Sequence, residues 1–330
     1  MSSNPNDTSN SHSGDNSENV VQAGTVNTLN FYNTPRTETP EAESTTSTWN
    51  PSKVAVATIA ILGGLWLLPS PEDADAIPAE SGARPAGSSN EAVLTAVQAS
   101  LTSCAQTPVL QPANCPQKID DPTGQANDVH WALHGNPTDG TYGPIWSNDR
   151  FYVAGYAVMT VTYTTPYRVP SPQNLSVEAV PYRAEITWTD NKPTVVNLRR
   201  YDTIDNQRVA KKDPGLPPVQ ATQALRKAFD QCVAAKQAPM PPQCPQSSMT
   251  QPSDHATWTL NGNPVTNTKQ TFDPTTGLTH ITGSYSATAT THNDFLGMTY
   301  DSTDNQSGNY DASLIATGPT LQVLQIKATP

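Results

Sequence analysis

Cys104, then Cys115-Pro116-Gln117, then Trp131-Ala132-Leu133-His134-Gly135-Asn136-Pro137 returns further along as Cys232, Cys244-Pro245-Gln246 and Trp258-Thr259-Leu260-Asn261-Gly262-Asn263-Pro264. The offset between the copies stays between 127 and 129 residues at all three landmarks. In a chain of 330 residues that period predicts one domain per copy, because domains cluster near ~100–150 residues. The two copies also control for each other. Residues present in both are read as scaffold, and residues present in one are free for another role.

Upstream of each first Cys runs a helical stripe. Val93, Val97, Leu101 and Cys104 fall on one helix face, with Asn90 placed to cap, and Ala221, Leu225, Phe229 and Cys232 repeat the spacing. Downstream, the apolar alternation predicts strands over 128–134, 151–164, 182–189 and 194–200, and in the second copy over 255–260, 266–272, 278–291 and 320–327. The expected fold class is α+β, with two tandem repeats over 90–210 and 219–330, each a helix packed on a curved antiparallel sheet, and a linker at 211–218 between them.

Two local Cys pairs in a chain with 14% charged residues and 31 prolines suit an oxidising compartment. Three pairings are open to four cysteines, and the repeat favours Cys104 with Cys115 and Cys232 with Cys244. Redox catalysis would want a C-x-x-C motif near a helix start, whereas each first Cys here ends a helix. Zinc fails as well: Cys104, Cys115, His130 and His134 have the wrong spacing, and the two His lie ~13 Å apart along a strand. The second copy keeps both Cys but carries Thr257 and Asn261 in place of the histidines, so these His are expected as exposed or half-buried strand residues. Trp131 and Trp258 occur in both copies and are expected in the core. Trp146 and Trp188 lack clear counterparts and are the candidates for a binding surface, with a second core site as the more ordinary reading of the same residues. A net charge of −11 argues against nucleic acid as a partner. No G-x-S-x-G, H-E-x-x-H, Walker or Rossmann pattern occurs, so no catalytic residue, cofactor or metal is expected.

Residues 1–50 are polar and low in complexity, and are expected to be a disordered tail. Residues 51–70 hold an uncharged run, Val54–Leu68, which with flanking residues reaches the length of a membrane helix, with Trp49 and Trp66 at interfacial positions. Arg36 and Lys53 precede it while Glu72, Asp73, Asp75 and Glu80 follow, which predicts a single-pass protein of the cell membrane with a cytoplasmic N-terminus and extracytoplasmic C-terminal domains. The alternative is a signal peptide cleaved after Ala74-Asp75-Ala76. Residues 71–89, rich in Pro, Gly and Ser, read as a linker.

Within the tail, Val21-Gln22-Ala23-Gly24, followed by Val26, resembles the core of the RIP homotypic interaction motif, and 19–33 resembles the related amyloid signalling motifs of bacteria. The usual His-Gly pair is replaced by Asn27-Thr28. An uncharged β-prone stretch with Asn and Gln can stack in register, so the resemblance implies self-assembly with a protein partner carrying a matching motif. The Cys-Pro repeats resemble uncharacterised single-pass membrane proteins of actinobacteria whose outer domains are loosely cystatin-like or similar to nuclear transport factor 2. Together these imply a membrane-anchored binding or signalling protein, in contact with the lipid bilayer and with an extracytoplasmic ligand. An envelope enzyme with a pocket on one sheet and a structural envelope spacer are the alternatives.

Overall fold

The computed structural model describes residues 76–121, 124–166, 173–245, 253, 255–295 and 298–329, all within one compact unit that runs from Leu67 to Pro330. The tail with its Val21–Val26 motif and the predicted span at 51–70 lie outside the described residues. Among the described residues no helix is long and apolar enough to cross a membrane.

The first helix, α1 (Asn90–Ala105), begins at the expected cap, one residue earlier than that cap implies. The cap is Ser89, whose side chain accepts from the Ala92 N–H, and Asn90 is already helical. Its stripe of Val93, Val97, Leu101 and Cys104 is buried against a sheet of β1 (Asn127–His134), β2 (Tyr142–Ser147), β3 (Arg150–Thr164), β4 (Gln173–Thr189) and β5 (Lys192–Arg200). The order is β1-β3-β4-β5, all antiparallel, with β2 also paired to β3. The sequence pattern gave no sign of β2. Gly143-Pro144 interrupts it, and its register shifts between Tyr142 and Ile145 to pass a proline that has no N–H to donate. β4 begins at Gln173 rather than Tyr182, because β3 supplies partners all the way to Thr164.

The second helix, α2 (Pro218–Val233), buries Ala221, Leu225, Phe229 and Cys232 against β6 (Ala256–Leu260), β7 (Lys269–Phe272), β8 (Leu278–Phe295), β9 (Met298–Thr317) and β10 (Thr320–Thr329). Here the order is β10-β9-β8-β6, with β7 also on β8. β9 was unforeseen. Its first half, Met298 to Gly308, is almost wholly polar, yet its register with β8 runs unbroken from Phe295↔Met298 to Leu278↔Ile315. Among the described residues the protein is thus an α+β fold of two helices on antiparallel sheets.

Matching contacts hold each helix to its sheet. Cys104–Cys115 and Cys232–Cys244 are disulfide-bonded, closing the loop after each helix. The Trp131 indole donates to the Val109 carbonyl (2.8 Å) and the Trp258 indole to that of Gln237 (2.9 Å), fixing the first strand to the same loop. The buried amide of Gln117 donates to the Cys104 carbonyl at the helix end (2.8 Å), which gives the Cys-Pro-Gln triplet its role in the first sheet. Tyr182 donates to the Pro137 carbonyl (2.9 Å) and Tyr310 to the Pro264 carbonyl (2.7 Å), so each Gly-Asn-Pro loop is anchored at the sheet centre. Gly155 and Gly283 stand opposite these tyrosines, and a Cβ on Gly283 would lie 2.5 Å from the Tyr310 hydroxyl.

Two stretches expected as linkers are held in place. Residues 76–89 lie on the β2 edge, where Ser81 N–H donates to the Trp146 carbonyl (2.8 Å) and Arg84 to that of Pro144 (3.0 Å). Lys211 is pinned at the junction of the two sheets, its N–H on the Pro274 carbonyl (2.6 Å) and its Nζ on that of Asn136 (3.0 Å). Beside it Val158 and Val177 of the first sheet pack on Leu278, Ile315 and Leu324 of the second. Gln325 reaches across to the Leu175 carbonyl (3.1 Å).

Replacing Tyr310 by Phe keeps the ring but strands the buried Pro264 carbonyl. The expected loss is about 1–3 kcal/mol, read as a lower urea midpoint at unchanged m-value.

Candidate functional site

In a strand, alternate residues face opposite ways, so each sheet has a face under its helix and an outer face. On the first sheet the outer face is covered. Arg183, 5% exposed, stacks between the rings of Tyr152 (5.0 Å) and Tyr201 (5.9 Å), and its guanidinium meets Glu185 (3.5 Å) and the Ala76 carbonyl (3.5 Å). The segment from Tyr201 to Ala210 then crosses the face. Tyr201 N–H donates to the Pro181 carbonyl (3.1 Å) and Ala210 N–H to that of Gly140 (3.1 Å). Tyr156 donates to Asn206 Oδ1 (2.8 Å), Arg208 donates to the Tyr142 hydroxyl (2.8 Å) and stacks on its ring, and Val209 is buried.

On the second sheet the same register positions are open. Where Tyr142 pairs with Ala154, Lys269 pairs with Thr282, and where Tyr156 pairs with Pro181, Ser284 pairs with Asn309. Lys269, Thr282, Ser284 and Asn309 are all exposed, while Ala154 and Pro181 are buried and Tyr142 and Tyr156 half-buried. A groove of about 720 Å³ runs over them, bounded by Asn267 and Thr329. Asp311, half-buried in the groove wall, bonds His280 Nδ1 (3.0 Å), and this pair occupies the register of the Tyr152–Arg183 stack. The rest of the lining is amide, hydroxyl and one ammonium. Lys269 makes no ion pair among the described residues, whereas the Asp311 carboxylate, the other charged group of the lining, is bonded to His280, so the groove offers hydrogen bonds, an unpaired ammonium and a paired carboxylate. No group of three or more His, Cys, Asp or Glu that could hold a metal occurs among the described residues.

The residues singled out from sequence fall in several places. The four Cys form the two structural bridges. Trp146, 7% exposed, is core: its ring lies 4.8 Å from that of Phe151. Trp188 is half-buried and meets the same Phe151 edge-on at 6.3 Å, so the two indoles build a core cluster instead of the expected binding surface. His130 is exposed and His134 half-buried, as expected of strand residues. Val21, Gln22, Ala23, Gly24 and Val26 are outside the described residues. Sequence reasoning missed the Tyr182 and Tyr310 anchors and the open groove, although the anchors share the 128-residue offset of the first Cys landmark.

Burial sets the titration of several groups. It raises Tyr182 and pushes Tyr310 up to about 12, so both hydroxyls stay protonated donors. It lowers Lys211, partly countered by Asp139. It lowers His134 from the ordinary 6.5, partly countered by a hydrogen bond that the ring donates to the Gln322 side chain of the second sheet.

No family model matches the sequence, and no curated protein matches it. Among solved structures the chain is similar to an "Ntf2 like protein involved in plasmid conjugation", at 7% identity and a TM-score of 0.16, over 62% of this chain and 79% of that one. At that level of superposition the likeness transfers neither fold nor function.

With the folded value of His134 below 6.5, the unfolded chain takes up the proton first as pH falls. Stability from this group is complete above 6.5 and is lost through the window between 6.5 and the lower folded value. Thermal melts at neutral pH and near pH ~5 should show a smaller acid-induced drop for His134→Gln than for the parent chain.

Proposed function

We propose that this chain is a single-pass membrane protein that acts by binding. Its N-terminal tail is cytoplasmic, and two tandem modules, each clamped by a disulfide, stand outside the membrane. The observation that carries the binding role is the outer face of the second sheet. It exposes Lys269, Thr282, Ser284 and Asn309 over a wide groove, whereas the matching face of the first sheet is filled by the chain itself. A surface of hydrogen-bonding groups held on long paired strands is preorganised for a ligand.

Further features support the rest of the reading. The tandem relation is supported by paired Trp and Tyr anchors in equivalent registers. The extracytoplasmic placement is supported by the two disulfides and by the charge asymmetry about residues 51–70. In the tail, Val21-Gln22-Ala23-Gly24 with Val26 would assemble with a matching motif on a partner protein and give the anchored receptor a signalling end.

A reporter that is active only in the cytoplasm, fused at residue 45, is expected to be active. Activity of a periplasm-type or secreted reporter at that position would reverse the topology. A peptide spanning 15–35 is expected to form thioflavin-positive fibrils, and a Gln22→Pro version is expected to stay monomeric. If the parent peptide also stays monomeric, the assembly role fails.

A further inference from the structure

We propose that the groove on the second sheet takes an extended, acid-bearing peptide segment of a partner, lying across the sheet as Tyr201–Ala210 lies across the first. This rests on the reading of the chain as a binding protein and adds the class of ligand.

The first sheet shows what covers such a face. Its occupant is a polypeptide that touches Gly140, Tyr142, Tyr156 and Pro181. The register-matched positions are Asn267, Lys269, Ser284 and Asn309, and all four line the open groove. The turn backbone matches as well: Gly140 has φ +63° and Asn267 φ +57°, both in the left-handed region. The Gly140 carbonyl accepts a main-chain N–H from the covering segment, and Asn267 is the position that matches it.

The substitutions between the two faces specify how the partner differs from Tyr201–Ala210. Tyr142 receives Arg208 by a hydrogen bond and by stacking, whereas Lys269 in its place repels a cation and attracts a carboxylate. Tyr156, whose hydroxyl reaches Asn206, becomes Ser284, and Ala154 becomes Thr282, so the second face is wider and lined by hydroxyls. A Cβ on Gly140 would lie 2.3 Å from the Ala210 carbonyl oxygen, so the first face admits no side chain there. Asn267 has one, and its amide stands where the covering chain comes closest. The partner therefore sits slightly higher and is held by side-chain amides as well as backbone. An extended peptide on such a face meets side chains instead of a free strand edge, so its backbone and polar groups are held by the amides and hydroxyls of the lining.

The test uses the full chain and two labelled peptides read by fluorescence anisotropy. One carries the sequence of residues 201–210 and the other the same sequence with Arg208→Glu. The Glu peptide is expected to bind about threefold tighter, the scale of one exposed ion pair. Lys269→Glu in the protein should reverse that order, and Thr282→Trp, at an exposed position, should abolish binding of both at unchanged melting temperature. Binding that is indifferent to Lys269→Glu and Thr282→Trp would overturn the proposal. So would failure of both peptides to bind at millimolar concentration, with an oligomer of N-acetylglucosamine as the second probe. If the oligomer binds and Thr282→Trp blocks it, the peptide is wrong but the face is a binding site. If neither probe binds, the groove itself fails as the site, while the reporter fusion still decides the topology.

Discussion

The buried hydroxyls of Tyr182 and Tyr310, each donating to a proline carbonyl, are the contacts on which the remaining architecture depends. Each tyrosine projects from a central strand, over a glycine on the neighbouring strand, to the loop that leaves the Trp-bearing strand. That loop sets where the chain turns into β2 or β7, and hence where the outer face begins. On the other side of the same strand the Trp indole holds the disulfide loop. One short strand is therefore tied at both ends, and the helix stripe packs onto a surface whose position is already fixed. A proline carbonyl suits this role, since proline keeps its acceptor while having no N–H to satisfy.

From this common frame the two outer faces diverge. The first buries Arg183 between aromatic rings and is covered by its own chain, which spends an extended stretch on internal contacts. The second replaces Tyr152 with His280 and Arg183 with Asp311, keeping a bonded pair at the same register while exchanging its chemistry. The frame tolerates this because outer-face residues do not enter the packing beneath the helices. The difference between the two faces is thereby confined to one layer of side chains.

The sequence revealed whatever has a strong period or a repeated landmark. The helix stripes were legible because four buried positions at helical spacing recur upstream of each Cys. The cysteine pairing followed from the repeat, and the core role of Trp131 and Trp258 from their presence in both copies. β9 was not legible because the half beyond Gly308 towards the hairpin tip has no apolar alternation; it is a strand because β8 pairs with it throughout, a tertiary effect no local pattern carries. For Trp146 and Trp188, which sequence left between a binding surface and a second core site, the structure takes the core for a specific reason. They surround Phe151, whose register match is Thr279, and Trp188 is matched by Ala316, so a copy-specific aromatic cluster filled a core space instead of marking a surface. The groove was invisible because it is defined by the chain covering one face and leaving the other bare.

The apolar contact between the sheets is head-to-tail: Val158 and Val177 of one against Leu278, Ile315 and Leu324 of the other. A contact of that kind joins two unlike surfaces, and by itself it would let further copies stack without limit. The positions that would continue the stack are changed. Val158 and Val177 are matched on the second sheet by Ser286 and Asn305, and Leu278 and Ile315 on the first by Arg150 and Thr187. Ser286 and Asn305 make one free end polar, while the other keeps an exposed Val196, the match of Leu324, with Arg150 and Thr187, so composition instead of symmetry weakens further stacking at both ends.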